Sequence, residues 1–291
     1  MLSSVPTNTR VLAHSTRGYK GSSPFSASDS SPEQLRARIG HDLASIVAAY
    51  IHKLFLLSNP GSKVKLLTWS IGVCSLLSAY NLLAEGKLEH VHEEALSEQI
   101  SQIIIFEGPS ELGFGMPASA STLAFRSSVG TLTPGAMFVA AIRRATGIYD
   151  YPQEVLDDVV KGIPTTHVDF QPRSSLADDD AFMAIITPIM EPGPLSYYVQ
   201  ARTQESDEGV DYSRTALRAM LKAPAVTRIN VLTTKHTVPD CFAGPAVLVG
   251  ELARLEEEIQ VKKMSLRFVE GEYNHFVLVQ APDVLWKAIE S

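Results

Sequence analysis

Hydrophobic positions in this chain gather into short, nearly continuous runs, separated by longer stretches in which they recur at helical spacing. Val64–Thr68, Ile100–Phe106 (ISQIIIF), Arg228–Thr233 (RINVLT) and Leu266–Val269 are such runs, and Arg10–His14 (RVLAH) is a fifth, shorter candidate. Runs without polar alternation suit strands covered on both faces. Between them lie helical patterns. Ser31-Pro32-Glu33 is a helix start, followed by Leu35, Ile39, Leu43, Ile46 and Val47 on one face until about Leu57, where Asn59-Pro60-Gly61 stops it. Ile71–Ala84 reads as a buried helix, Gly244–Lys262 as a long one with Leu252, Leu255 and Ile259 aligned, and a last helix starts at Pro282. Strands alternating with helices predict a parallel sheet with crossover helices.

The alternation lapses between Ala118 and Ala225. Helical segments around Ala136–Thr146, Pro152–Lys161, Asp178–Met190 and Tyr212–Leu221 are broken by proline and glycine, which predicts a helical insertion. The expected organisation is an α/β core over 1–117 and 226–291, with a cap over 118–225.

Composition narrows the function classes. With 45% hydrophobic and 20% charged residues among 291, the chain buries a core rather than remaining disordered. A net charge of −7 without Lys/Arg clusters excludes a nucleic-acid surface. Two cysteines, Cys74 and Cys241, make no disulfide framework and suit a reducing compartment. Leu66–Ala84 is long enough without a charge to span a membrane, but Thr68, Ser70, Ser75, Ser78 and Asn81 and its strand-turn-helix pattern argue against a span. The first ten residues lack the apolar core of a signal peptide, and Ile289-Glu290-Ser291 does not match an SKL-type peroxisomal address, so the cytoplasm is expected. No oligomeric state is legible.

Candidate chemistry centres on Thr68-Trp69-Ser70-Ile71-Gly72. It resembles the G-x-S-x-G nucleophile elbow of α/β-hydrolases, with Thr68 in place of the first glycine, and it stands between a strand and a helix as that motif requires. The turn exposes a serine hydroxyl at a helix start and frees the backbone N–H of Ile71 to stabilise an oxyanion; Gly72 is expected to let strand and helix approach closely. Further along, Arg17-Gly18-Tyr19-Lys20-Gly21-Ser22, Gly40-His41-Asp42-Leu43, Gly271-Glu272-Tyr273-Asn274-His275-Phe276 and Ala281-Pro282-Asp283 resemble, in order, other landmarks of the family, although Ser15 stands where aspartate is usual. The resemblance implies Ser70 as nucleophile and His275 as general base, with no cofactor and no metal. The acid stays open: Thr237 occupies its usual place, Asp240 lies three residues beyond, and Glu107 directly follows the IIIF strand, the family's alternative position. His90, His92, Glu93 and Glu94 have a metal-like composition in a polar linker and are not read as ligands.

The family also carries a strand and an oxyanion loop ahead of the RVLAH equivalent, for which Met1–Thr9 offers no counterpart. The expectation is an N-terminally truncated core of weak or absent esterase activity, since losing one oxyanion donor costs about 2.7–4 kcal/mol. Overall the resemblance implies a serine hydrolase acting on a small-molecule ester, thioester or lactone. Phe125, Met137, Phe138, Tyr149, Tyr151, Phe182, Met183, Tyr197 and Tyr198 either line an apolar substrate site or pack the cap. TWSIG, the Glu-Gly-Pro strand end and the broken cap are also similar to fungal hydrolases of secondary-metabolite and toxin clusters, which implies a polyketide-type substrate. A second reading is a catalytically inactive hydrolase-like protein that binds through the same cleft.

Overall fold

The computed structural model describes residues 5, 9–13, 17–19, 22–26, 31–52, 64–110, 120–132, 134–164, 170–187 and 207–290. In chain order the elements are α1 (Pro32–Tyr50), β1 (Val64–Trp69), a 3₁₀ turn (Ser70–Gly72), α2 (Val73–Ala84), α3 (His90–Glu94) continued by a π-helical turn (Ala95–Gln99), and β2 (Ile100–Phe106). Then come α4 (Ala120–Val129), α5 (Pro134–Ala145), β3 (Gly147–Ile148), α6 (Gln153–Lys161), β4 (Ser174–Ser175), α7 (Asp180–Ile186) and α8 (Asp207–Lys222). The chain closes with β5 (Arg228–Thr234), α9 (Pro239–Ile259), β6 (Met264–Val269), α10 (Val277–Gln280) and α11 (Pro282–Glu290).

β1, β2, β5 and β6 form one parallel sheet in the order β1-β2-β5-β6. Its alternation sorts side chains between two layers. Ile103, Ile105, Ile229 and Val231 pack with α1, α2, α8 and α9 in the main core, whereas Ile104, Phe106 and Leu232 pack with α11 on the other face. Both faces are therefore covered, which is why these strands lack polar alternation. This is the α/β architecture expected from the sequence. No helix among the described residues is long and apolar enough to cross a membrane.

α1 begins as its sequence dictates. Ser31 caps the backbone of Gln34, whose side chain returns to the Ser31 N–H, and Pro32 occupies the first turn. α1 then crosses α2 closely at Gly40, where a methyl would lie 2.8 Å from the Ser78 carbonyl carbon and oxygen. The close approach assigned to Gly72 is not found: a methyl there meets nothing within 4 Å, so the tight contact belongs to Gly40. Nearby, Arg17 makes a bidentate pair with Asp42 at 2.6 and 2.8 Å, tying the Arg17-Gly18-Tyr19 segment to α1.

Several boundaries differ from the sequence reading. Arg10–Ala13 is not a strand; Leu12 is half exposed and the segment has no ladder to join, while His14 lies outside the described residues. The stop expected at Asn59–Gly61 also lies outside them. α9 begins at Pro239, well before Gly244, because Pro239 suits a first helical turn and the internal Pro245 is tolerated. His90 and His92 sit on a helix rather than in a linker, and no metal-binding group of His, Cys, Asp or Glu occurs among the described residues. In the stretch read as an insertion, β3 and β4 pair antiparallel. α8, grouped there too, packs through Ala216, Leu217, Met220 and Leu221 into the main core. Of the aromatics in that stretch, Tyr151 stacks on Phe242 of α9 with centroids 4.0 Å apart, and Phe182 packs edge-on to Phe276 at 5.7 Å. Tyr197 and Tyr198 lie outside the described residues.

Candidate active site

β1 ends at Trp69, and Ser70 turns out of the strand with φ +55° before the chain enters α2. A positive φ at a residue carrying a Cβ costs of order 1–3 kcal/mol and needs surrounding structure to hold it. Here the hold comes from the β1–β2 ladder on one side and α2, buried along most of its length, on the other. Thr68, buried in place of a glycine, directs its hydroxyl to the Ile104 carbonyl at 3.5 Å, so its extra bulk is absorbed between strands. Ser70 is half buried, as is Ile71, the second residue of the 3₁₀ turn that leads into α2.

The neighbouring strand repeats the device. Trp69 is in register with Phe106, so Ser70 and Glu107 are the next residues on adjacent strands, and Glu107 also leaves at positive φ, +50°. Its carboxylate is fully buried and saturated with donors. Oε1 accepts from the Thr234 N–H and hydroxyl, each at 2.7 Å; Oε2 accepts from the Thr237 hydroxyl at 2.9 Å and faces His275 Nδ1 at 2.7 Å. Four contacts of this kind offset much of the cost of burying a charge.

His275 arrives on the loop after β6. Asn274, itself buried, donates to the Thr146 carbonyl at 2.6 Å and accepts from the Phe276 N–H at 2.9 Å, which fixes the turn. Trp69 Nε1 donates to the His275 carbonyl at 3.1 Å, and the two rings lie 5.1 Å apart, so the residue before Ser70 seats the imidazole. With Nδ1 donating to Glu107, Nε2 keeps its lone pair. Nε2 faces Cys241 Sγ at 4.0 Å, and no hydrogen bond joins His275 to Ser70 among the described residues. In unliganded sites catalytic hydrogen bonds are often long and tighten with substrate. Burial, then the charges of Glu107 and Asp240, push the Cys241 thiol well above its ordinary range.

Of the two candidate acids, the structure brings Glu107 to His275 and places Asp240 elsewhere. Asp240 lies in the first turn of α9 and pairs with Arg144 at 3.3 Å. A carboxylate there also complements the helix dipole. Thr237, standing where the family's usual acid would be, reaches the same imidazole indirectly by donating to Glu107. Thr234, Asn274, Trp69 and Cys241 carried no site signal in the sequence; Thr237 did, through its position. Gly244 of α9 completes the frame, since a methyl there would overlap the Gly108 carbonyl oxygen.

No family model matches the chain, and no curated protein matches it. Among solved structures, a protein provisionally described as a non-heme bromoperoxidase, BpoC from Mycobacterium tuberculosis H37Rv, is 13% identical with a TM-score of 0.45, covering 86% of this chain and 72% of that one. Rv0554 from Mycobacterium tuberculosis is 12% identical with a TM-score of 0.41, covering 78% of this chain and 64% of that one. Likenesses at these TM-scores carry no weight for function.

Proposed function

We propose that this chain is a serine hydrolase of the α/β-hydrolase type, with Ser70 as nucleophile, His275 as general base and Glu107 as the acid that orients and charges the base. The observation that carries this is the buried Glu107–His275 pair at 2.7 Å, beside a serine held at φ +55° at the end of the neighbouring strand. In the proposed step, His275 Nε2 takes the Ser70 proton as Oγ attacks an acyl carbon, Glu107 stabilises the imidazolium, and the Ile71 N–H donates to the oxyanion. The imidazolium then protonates the leaving group, and water releases the acid by the reverse path. The buried aromatics Tyr149 and Phe182 favour a packing role for part of the cap's apolar set. The substrate proposed is a small ester or thioester with an apolar acyl group; the polyketide-type assignment and a place in toxin biosynthesis rest on the TWSIG and Glu-Gly-Pro resemblance alone.

A fluorophosphonate probe tests the reading. Ser70 should be labelled in the folded protein, labelling should vanish in Ser70→Ala, and His275→Gln should slow it by at least about a hundredfold. A folded protein that leaves Ser70 unlabelled would instead support the binding-protein reading, which the 4.0 Å Cys241–His275 contact favours by occupying Nε2.

A further inference from the structure

A six-residue stretch between β2 and β5, Thr146–Tyr151, is bonded to both loops that serve the Glu107–His275 pair. On one side the Thr146 carbonyl accepts from Asn274, the residue before His275, at 2.6 Å. On the other side the stretch is tied to the loop after β5. The Tyr149 N–H donates to the His236 carbonyl at 3.1 Å, and His236 Nδ1 donates to the Tyr149 carbonyl at 2.8 Å. The Tyr151 hydroxyl donates to the Thr237 carbonyl, also at 2.8 Å. β3 lies inside the stretch and pairs with β4, which keeps it extended. Gly147 lets Tyr149 fold back over it, since a methyl there would lie 2.7 Å from the Tyr149 ring.

Tyr151 grips the loop at the residue closest to the pair. The Thr237 hydroxyl donates to Glu107 Oε2 at 2.9 Å, and the same oxygen faces His275 Nδ1 at 2.7 Å. Thr237 and Glu107 are both fully buried, so this donor is not exchanged with bulk water. A threonine is stiff at χ1, and its hydroxyl points where its backbone sends it. Tyr151 fixes that backbone at the carbonyl. The Tyr151 ring is fixed independently of its hydroxyl. It stacks on Phe242 of α9 with centroids 4.0 Å apart and planes 9° from parallel, and it meets Phe170 edge-on at 4.7 Å. Burial chiefly, with Tyr149 and Asp240 nearby, pushes its phenol well above the ordinary range, so it stays a donor while an imidazole titrates.

We propose that Tyr151 is a positioning residue for the Glu107–His275 pair, acting through Thr237: its hydroxyl sets the loop that aims the Thr237 hydroxyl at Oε2, the oxygen that receives the His275 Nδ1–H. The consequence for rate rests on the hydrolase reading; the geometry of the pair does not. Tyr151→Phe removes the hydroxyl and leaves the stack on Phe242. The readout is the proton NMR resonance of the His275 Nδ1–H, identified by its loss in His275→Gln and recorded both in wild type and in Ser70→Ala. Tyr151→Phe and Thr237→Val should each move it in the same sense. The two together should move it no further than Thr237→Val alone, because groups acting along one path are not additive. Thr237→Ser, which keeps the hydroxyl, should restore the resonance and its response to Tyr151→Phe. Fluorophosphonate labelling of Ser70 should slow by about two- to tenfold in Tyr151→Phe, the scale of one net hydrogen bond. Tyr80→Phe controls for a purely structural loss. Tyr80 is fully buried in the main core, and its hydroxyl also donates to a backbone carbonyl, that of Leu96 at 3.0 Å. Its variant should leave the resonance and the labelling unchanged. The proposal is overturned if Tyr151→Phe leaves the resonance in place, if its shift persists in full beside Thr237→Val, if Tyr80→Phe shifts it as far, or if Ser70 labels equally fast with and without the Tyr151 hydroxyl. The expected pattern of shifts in a protein whose Ser70 does not label would support the positioning role and reject only the hydrolase reading.

Discussion

Replacing Glu107 with glutamine exchanges one oxygen for an NH₂ at the centre of the site, and the hydrogen bonds decide which one. Oε1 accepts from the backbone N–H of Thr234, a donor that cannot reverse, so that position must remain oxygen. The NH₂ is thereby directed at the Thr237 hydroxyl and at His275 Nδ1. The hydroxyl can rotate and accept. The imidazole can accept only by moving its proton to Nε2, the atom that must receive the Ser70 proton. Glu107→Gln therefore leaves the packing intact and installs the wrong tautomer. The expected loss is about 10³–10⁴-fold, or roughly 4–5.5 kcal/mol of transition-state stabilisation. The assay is the second-order rate of fluorophosphonate labelling at Ser70, with nitrogen NMR of the His275 ring to report which nitrogen carries the proton. Asp240→Asn, which leaves the Glu107–His275 pair and its donors in place and loosens the contact with Arg144 at 3.3 Å, should label within a few-fold of wild type. Labelling of Glu107→Gln at the wild-type rate, or an equal loss in Asp240→Asn, would refute the reasoning.

Three further outcomes follow from the same geometry. Ser70→Gly removes the Cβ penalty at φ +55° and should stabilise the inactive protein by about 1 kcal/mol, read as a higher urea midpoint at constant m; a lower midpoint would show that Ser70 is unstrained. Gly244→Ala should push the Gly108 carbonyl away from α9, costing about 1–3 kcal/mol of stability and slowing Ser70 labelling because Glu107 is adjacent; thermal unfolding and labelling together check it. Hydrogen bonds from Arg214, and then Arg254, hold Glu251 below its ordinary range despite some burial. Its contribution, about 0.5–1 kcal/mol for so exposed a network, is complete above pH ~4.5 and is lost as the pH falls through the lowered folded value. Wild type should thus exceed Glu251→Gln in stability at pH 7, and the gap should close in acid; a gap that persists at pH 2 would be a packing effect.

The parts of the fold that the sequence announces are those whose physics is local. ISQIIIF gives β2 to the residue because an apolar run ending in Glu-Gly-Pro leaves no other boundary, and the serine turn is legible because its strand and helix flank it directly. Arg10–Ala13 has strand composition, but a strand needs a ladder, and pairing is decided by partners far along the chain. α4 is not legible in the sequence, because its Ser- and Ala-rich stretch carries little periodic signal. At the site, Ser70, His275 and both candidate acids were visible by type and position. The choice between Glu107 and Asp240 was not, because it depends on where Thr234, Thr237 and Arg144 deliver their donors, and each of those is at least 90 residues from one of its partners.

Ser70 and Glu107 leave β1 and β2 at one level of the same ladder. Their separation is consequently a lattice constant of the sheet, governed by inter-strand spacing rather than by loop length. The proposed triad thereby has a single member whose place the ladder does not set. Two leave the floor of the sheet, and His275 is carried by a loop that runs through the exposed Glu270 and the left-handed Gly271, φ +111°. Sequence variants that change the tempo of this site while sparing the sheet should therefore map to that loop and to the Asn274 bond that anchors it.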